Sequence, residues 1–265
     1  MKREREGKEL DMQNDLVSII TPVYNCADFL REAIESVRAQ SYPNWEMIIV
    51  DDTSSDGSLA CAEGFGDARI RCFRNDVRSG AAVSRNLALR EARGRWVAFL
   101  DADDVWSPFK LEHQLAFMRE NGYAFSYTGR GFMCEDGTPM NRYVTGPRRI
   151  TKWGMYCFCW PGCLSVMYDA SVVGLVQVAD LKKNNDYAMW LKVSAVADCH
   201  LLDEDLATYR VRKGSISNHS YLSLIKWHYR LFRLSEGKCV ASALFWTGMN
   251  LVFGVVKKVW FTKAR

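Results

Sequence analysis

The chain has 265 residues, 48 % of them hydrophobic and 25 % charged, which excludes a disordered chain and predicts a packed core. A net charge of +4 is too mild to indicate nucleic acid, and no nucleic-acid partner is expected. The first fifteen residues are charged and lack an apolar leader core, so the nine cysteines are expected to be reduced thiols of a cytoplasmic protein. Cys157, Cys159 and Cys163 are the densest group. They lack a fourth ligand and the pair spacing of a zinc site, so core or loop thiols are expected there.

In chain order, Leu16 to Thr21 is a short β-branched run and predicts a strand. Asp28 is placed to cap a helix in which Phe29, Leu30, Ala33, Ile34 and Val37 recur at helical spacing. Glu46 to Val50 predicts a second strand, entered through Tyr42-Pro43-Asn44, and Arg69 to Phe73 a third. Gly80 to Arg93 is an alanine-rich helix with Gly94 as its stop. Trp96 to Leu100 is a buried strand, and Pro108 opens a helix to about Asn121, ended by Gly122. Beyond Tyr123 the pattern is less regular. Short strands are predicted at Tyr123 to Thr128 and Cys163 to Tyr168, and a helix from Asp186 to Ala197.

Alternating strands and helices predict an α/β fold: a Rossmann-like, mostly parallel central sheet covered by helices. Such sheets bind ligands at the carboxyl ends of their strands. Three ends carry polar groups: Thr21-Pro22-Val23-Tyr24-Asn25, Asp51 to Gly57, and Asp101-Ala102-Asp103-Asp104. The first turn contains no glycine, which argues against a dinucleotide fold and against a glycine-rich phosphate loop.

Asp101 and Asp103 stand at i and i+2 just past a buried strand, where a turn can aim both carboxylates into one cavity. Hard cations such as Mn²⁺ or Mg²⁺ take oxygen ligands together with substrate phosphate oxygens. Ala102 between them would let a nucleotide approach closely. The plainer alternative is an Asp-rich turn capping the next helix. Asp52 is read either as an acceptor for a donor nucleotide, such as a uracil N–H, or as a turn acid; Asp51 is read as a loop-holding acid. For Asp186, the residues alone leave open a catalytic role and a helix N-cap.

Val17 to Asn25, Val50 to Gly57, Ala81 to Asn86 and Phe99 to Asp104 together resemble the signature blocks of family-2 glycosyltransferases, in their order and approximate spacing. The resemblance spans roughly residues 15 to 220. Gly162 to Met167 and Asp186 to Leu191 carry a finer likeness to bacterial polysaccharide enzymes of the teichuronic acid type. It implies a GT-A fold with a nucleotide-binding half (about 16–122), an acceptor half (about 123–220), and a C-terminal helical extension (221–265) after a charged segment (1–15).

By resemblance, Thr21, Pro22, Tyr24 and Asp52 would hold base and ribose, and Asn75 and Arg85 would line the nucleotide pocket. Asp101 and Asp103 match the metal pair, with Asp103 the more direct ligand, and Asp186 matches the catalytic base. The family often has Glu-Asp there, whereas this chain has Asn185-Asp186. Arg212 and Ser217 fall in a stretch resembling the loop that closes over the diphosphate; the alternative is a solvated basic loop. His219 is read as a surface or packing residue.

The implied reaction is inverting transfer from a nucleotide diphosphate-sugar, such as a UDP-sugar, to a hydroxyl of a glycan or lipid-linked glycan. A sugar-nucleotide-binding protein without catalysis and a membrane-associated scaffold are the alternatives. Val240 to Val256 is uncharged and is followed by Lys257, Lys258, Lys263 and Arg265. An interfacial helix on the cytoplasmic membrane surface is expected, the alternatives being a buried C-terminal helix or an oligomer contact. The sequence sets no oligomeric state.

Overall fold

The computed structural model describes residues 15–179, 181–212 and 221–264. Ser217 and His219 lie outside them. The N-terminal half alternates strictly: β1 (Val17–Val23), α1 (Ala27–Arg38), β2 (Trp45–Asp51), α2 (Ser58–Glu63), β3 (Ile70–Arg74), α3 (Ala81–Glu91) and β4 (Trp96–Phe99). A two-residue β5 (Val105–Trp106) precedes α4 (Lys110–Asn121). The second half comprises β6 (Phe125–Cys134), β7 (Pro139–Val144), β8 (Arg149–Ile150), α5 (Lys152–Cys157), β9 (Val166–Asp169), α6 (Ala170–Val173), α7 (Asn185–Val193) and β10 (Cys199–Val211). The C-terminal segment is α8 (Tyr221–Arg230), α9 (Val240–Trp260) and β11 (Thr262–Lys263).

All these strands join one sheet, whose main path runs β11-β7-β6-β9-β4-β1-β2-β3. The expected parallel pairing holds in β3-β2-β1-β4. Beyond β4 the sheet is mixed: β9 runs antiparallel to both β4 and β6, and β7 antiparallel to β6. β10 returns parallel to β6 through two irregularities between Leu202 and Thr208. That pairing sets Arg210 opposite Met133 and carries the end of β10 over the loop after β4.

Strand periodicity divides the core. Ile20, Ile48, Val50, Val97 and Phe99 face α3 and α7 in one cluster, whereas Val17, Ile19, Met47, Ile49 and Ala98 face α1 and α4 in the other. Both faces are covered, so β1 and β2 are buried almost throughout, with Ser18, Thr21, Glu46 and Asp51 as their polar residues. Truncating a side chain such as Ile48 to alanine would cost about 2–5 kcal/mol.

Several helix boundaries depart from the sequence reading, among them the end of α7, which stops at Val193 and not at Ala197. Cys26, not Asp28, is the N-cap of α1, and Asp28 lies in its first turn. The cap role passes to Asp56, whose Oδ2 accepts from the Ala27 N–H at 2.9 Å. Helix α3 ends at Glu91, three residues before Gly94. Gly94 is needed for another reason: a Cβ there would lie 2.5 Å from the Leu16 carbonyl and 2.8 Å from the Ser18 nitrogen. Gly122 does end α4, at φ +66°.

The C-terminal segment is built into the sheet, because β11 pairs with β7. On its inner face α9 buries Ala243, Thr247 and Asn250, and Asn250 Nδ2 donates to the Tyr156 carbonyl at 3.0 Å. Its other face leaves Leu244, Phe245, Val252, Val255 and Val259 exposed. This 21-residue helix is long and apolar enough to cross a membrane by length and composition.

Candidate active site

The parallel register starts the polar loops side by side: Pro22 pairs with Val50 and Val23 with Asp51. The loops are then cross-tied. Asn25 Oδ1 accepts from the Ser55 N–H at 2.9 Å, while the Asn25 N–H donates to Ser54 Oγ at 2.9 Å. Asn25 and Thr53 adopt positive φ to make these turns. Thr21 is buried, and among the described residues its hydroxyl has no hydrogen-bond partner. Tyr24 is exposed beyond Pro22, with the Arg78 guanidinium 4.1 Å from its ring centre.

Asp52 is buried and fully engaged. Its Oδ1 accepts from Asn75 Nδ2 and the Ser79 N–H, both at 2.8 Å, and its Oδ2 from the Gly80 N–H at 2.7 Å. Asn75 also donates to Ser84 Oγ at 2.9 Å. Asp52 and Asn75 therefore shape the loop leading into α3. Asp51 behaves as a loop-holding acid, accepting from the Ser54 N–H at 3.1 Å and lying 3.4 Å from the Arg74 guanidinium.

Helix α3 carries this order to the next strand end. Gly80 at its start binds Asp52, and Arg85 projects the other way. Arg85 Nη2 donates to Asp101 Oδ1 at 2.5 Å, and Nη1 to Asn185 Oδ1 at 2.8 Å. One buried guanidinium thus joins the loop after β4 to the start of α7. Asp186, the next residue, accepts from the Tyr187 N–H at 2.8 Å through Oδ1. It is not the N-cap; Asn184 is, with φ 58°. Burial raises the Asp186 pKa, while Arg85 pulls it back down.

Asp101, Asp104, Asp186 and Arg212 line a single cavity of about 510 Å³. Asp52 and Asp103 do not line it. Asp103 meets the cavity-lining Arg212, whose Nε lies 2.8 Å from Asp103 Oδ2. Arg212 is further seated over the Phe29 ring at 4.9 Å. Ala102 is buried in the hydrophobic cluster under the loop, so its small side chain serves packing there. Arg210, absent from the sequence reading, fastens the same loop: its N–H donates to Asp104 Oδ1 and its Nε to the Asp103 carbonyl, each at 2.9 Å. Arg130 and Arg142 are likewise absent from that reading, while Asn185 is read there only as the place of a missing acid and Lys257 only as part of a basic flank. The one local signal was an arginine inside the buried run of β6.

Three carboxylates in four residues concentrate negative charge. Burial raises the Asp103 pKa, with Asp101 adding to it, and burial and both neighbours raise that of Asp104 further. A divalent cation would relieve that repulsion. Among the described residues no group of three or more His, Cys, Asp or Glu side chains forms a metal cage. Two carboxylates without a cage suit Mg²⁺ or Mn²⁺ ions that draw other ligands from water and phosphate. Asp101 and Asp103 are donors of the type such an ion takes, but the structure holds each against an arginine, Arg85 and Arg212, and only Asp101 lines the cavity.

Comparison with known proteins gives this arrangement its family. The Glycosyl transferase family 2 profile matches residues 18–161. A Bacillus subtilis protein named as a teichuronic acid biosynthesis glycosyltransferase, TuaG, is 42 % identical over 209 residues, covering 78 % of this chain and 83 % of that protein. The Escherichia coli UDP-Glc:alpha-D-GlcNAc-diphosphoundecaprenol beta-1,3-glucosyltransferase WfgD is 35 % identical over 219 residues, covering 80 % and 84 %. Among solved structures, S. aureus TarS 1-349 in complex with UDP-GlcNAc superposes with a TM-score of 0.69 at 21 % identity, covering 86 % of this chain and 69 % of that one. With strand order, site loops and relatives in agreement, the chain belongs to glycosyltransferase family 2 and has the GT-A fold.

Proposed function

We propose that this glycosyltransferase moves a sugar from a UDP-sugar, with inversion at the anomeric carbon, to a hydroxyl of a lipid-linked glycan in bacterial surface polysaccharide synthesis. The observation that carries the reading is the Arg85 bridge between Asp101 and Asn185, which sets Asp186 in the cavity that Asp101 also lines. The relatives support the substrate class: WfgD is named for a UDP-sugar donor and a diphosphoundecaprenol acceptor.

Residues at the ends of β1 and β2 hold the nucleotide. Pro22 and Tyr24 face the base and ribose, with Thr21 supporting them from beneath, and Asp52 offers its carboxylate once the 75–80 loop yields one of its bonds. Asp101 and Asp103 would hold Mn²⁺ or Mg²⁺, which when bound offsets charge on the departing diphosphate. Arg212, with Ser217 in the following loop, would close on the diphosphate; the guanidinium fork suits phosphate. Asp186 takes the proton from the acceptor hydroxyl as that oxygen bonds to the anomeric carbon. The bond to the diphosphate oxygen breaks, and its electron pair leaves with UDP. One base and no positioned protein nucleophile give inversion.

Helix α9 supports attachment to the cytoplasmic membrane surface through its exposed apolar face. The function is tested by screening labelled nucleotide sugars for transfer to a lipid-linked acceptor. Transfer from a UDP-sugar that depends on Asp186 is expected; binding without any turnover across the panel would leave only a sugar-nucleotide-binding protein.

A further inference from the structure

The cavity beside Asp186 has a second, positively charged end that the donor chemistry does not use. Arg130 from β6, Arg142 from β7 and Lys257 from α9 all line it. Among the described residues neither arginine has a carboxylate within ion-pairing distance; Lys257 Nζ donates only to the carbonyls of Trp160 at 2.7 Å and Cys159 at 3.3 Å. The three cations repel one another: Arg142 bears on Arg130, and both bear on Lys257. Asp104 is the acid that bears on Arg130, and one of its oxygens already accepts from the Arg210 N–H. Of the three carboxylates that line the same cavity, Asp101 is held by Arg85 and Asp104 accepts from the Arg210 N–H, and among the described residues none forms an ion pair with this cluster; like charges gathered so are unfavourable unless an anion joins them.

The chain makes room for this cluster. A Cβ on Gly162 would lie 2.3 Å from Arg130 Nη1 and 2.7 Å from Cζ, so the guanidinium rests against bare backbone. Arg142 sits 4.2 Å over the Phe132 ring. Sheet order sets the direction. Asp52 lies at the end of β2 and Asp101 just past β4, whereas Arg130 and Arg142 stand on β6 and β7, across β9. The cationic end is therefore on the far side of Asp101 from the nucleotide loops.

We propose that Arg130, Arg142 and Lys257 form an anion subsite for the diphosphate of a lipid-diphosphate-linked acceptor, holding its sugar over Asp186. The inference rests on the glycosyltransferase reading and deepens it. Two arginines, and a lysine whose pKa burial pulls down to about 7 and a bound anion would draw back up, match a diphosphate in charge better than they match a single carboxylate, and arginine forks match phosphate oxygens. Lys257 adds the lipid side. It belongs to the helix whose outer face exposes Leu244, Phe245, Val252 and Val255, so headgroup recognition and an apolar surface meet on one element.

The test uses the full chain in detergent, saturated with UDP and Mn²⁺, titrated with geranyl diphosphate and, separately, geranic acid. Geranyl diphosphate should bind without displacing UDP, at least tenfold tighter than geranic acid. Arg142→Gln and Lys257→Gln should each weaken it at least fivefold while UDP affinity stays within twofold. Arg142 is exposed and Lys257→Gln keeps a donor for the carbonyls, so both variants should fold; Arg130→Gln is a third check. Unchanged affinity in the variants, equal binding of geranic acid, or competition with UDP would each overturn the subsite. Should UDP itself fail to bind, the donor reading falls, and titration without UDP still reads the subsite separately.

Discussion

Arg85 closes on Asp101 at 2.5 Å with one guanidinium nitrogen and reaches Asn185 with the other, across 100 residues of chain. It therefore positions the loop after β4 against the start of α7. Asn185 offers a neutral amide oxygen, so the charges that Arg85 faces here are those of Asp101, which it binds, and of Asp186. Arg85→Gln is expected to lower kcat at least tenfold and to loosen metal-dependent UDP binding. Because Asp101 is about one-third exposed, the stability loss should stay near 1–2 kcal/mol. Thermal melts beside single-turnover rates check this; a kcat equal to wild type would remove the positioning role.

The α/β alternation and the strand ends were legible because parallel strands buried on both faces leave largely apolar runs, and polar loops must follow them. The acidic turn at Asp101–Asp104 was legible for the same reason, but not that Asp101 would line the cavity while Asp103 turns to Arg212. The antiparallel half was not: β9 pairs with β4 and β6 far away in the chain, and β7, although it follows β6 in a hairpin, has too irregular a burial pattern to read. Asp28 was misread as a cap because the carboxylate that caps α1 comes from Asp56. The cationic end of the cavity was invisible: Arg130, Arg142 and Lys257 come from two strands and a terminal helix, and no spacing rule connects them.

Asp52 holds the 75–80 loop through three N–H donors, two of them backbone. Asn at this position would turn an NH₂ group toward at least one donor. Asp52→Asn should lower stability by about 2 kcal/mol and weaken UDP binding tenfold or more. Calorimetry with UDP and a denaturant titration report the two effects; normal UDP affinity would mean that Asp52 serves only the loop.

Gly162→Ala adds a methyl group against the end of a flexible arginine. Arg130 should swing aside at a cost of about 1–2 kcal/mol, leaving the nucleotide loops intact. The expected kinetic signature is a raised acceptor KM with donor KM nearly unchanged. A change confined to donor KM would contradict the assignment of this end of the cavity to the acceptor.

Asp186 acts as a base only when ionised, and burial raises its pKa above the usual carboxylate value of 3.8. The acid limb of kcat/KM should therefore fall through a pKa above 3.8, and Arg85→Gln should move that limb to higher pH by removing the charge that lowers it. The sign for stability is opposite to that of an ion-paired aspartate: this contribution is full below the unfolded pKa and is lost as pH rises through the folded one. A pH–rate profile on both proteins measures the limb; a shift to lower pH in Arg85→Gln would be the wrong sign.

The most direct measurement pairs calorimetry of UDP binding in Mn²⁺ with the single-turnover transfer rate in Asp186→Asn. Among the described residues this side chain accepts from the Tyr187 N–H and makes no hydrogen bond to the loops after β1 and β2, so UDP affinity should stay within about threefold while transfer falls by roughly 10²–10⁴. Transfer at the wild-type rate, or loss of UDP binding in step with transfer, would contradict a base held apart from the donor at the other end of the Arg85 bridge.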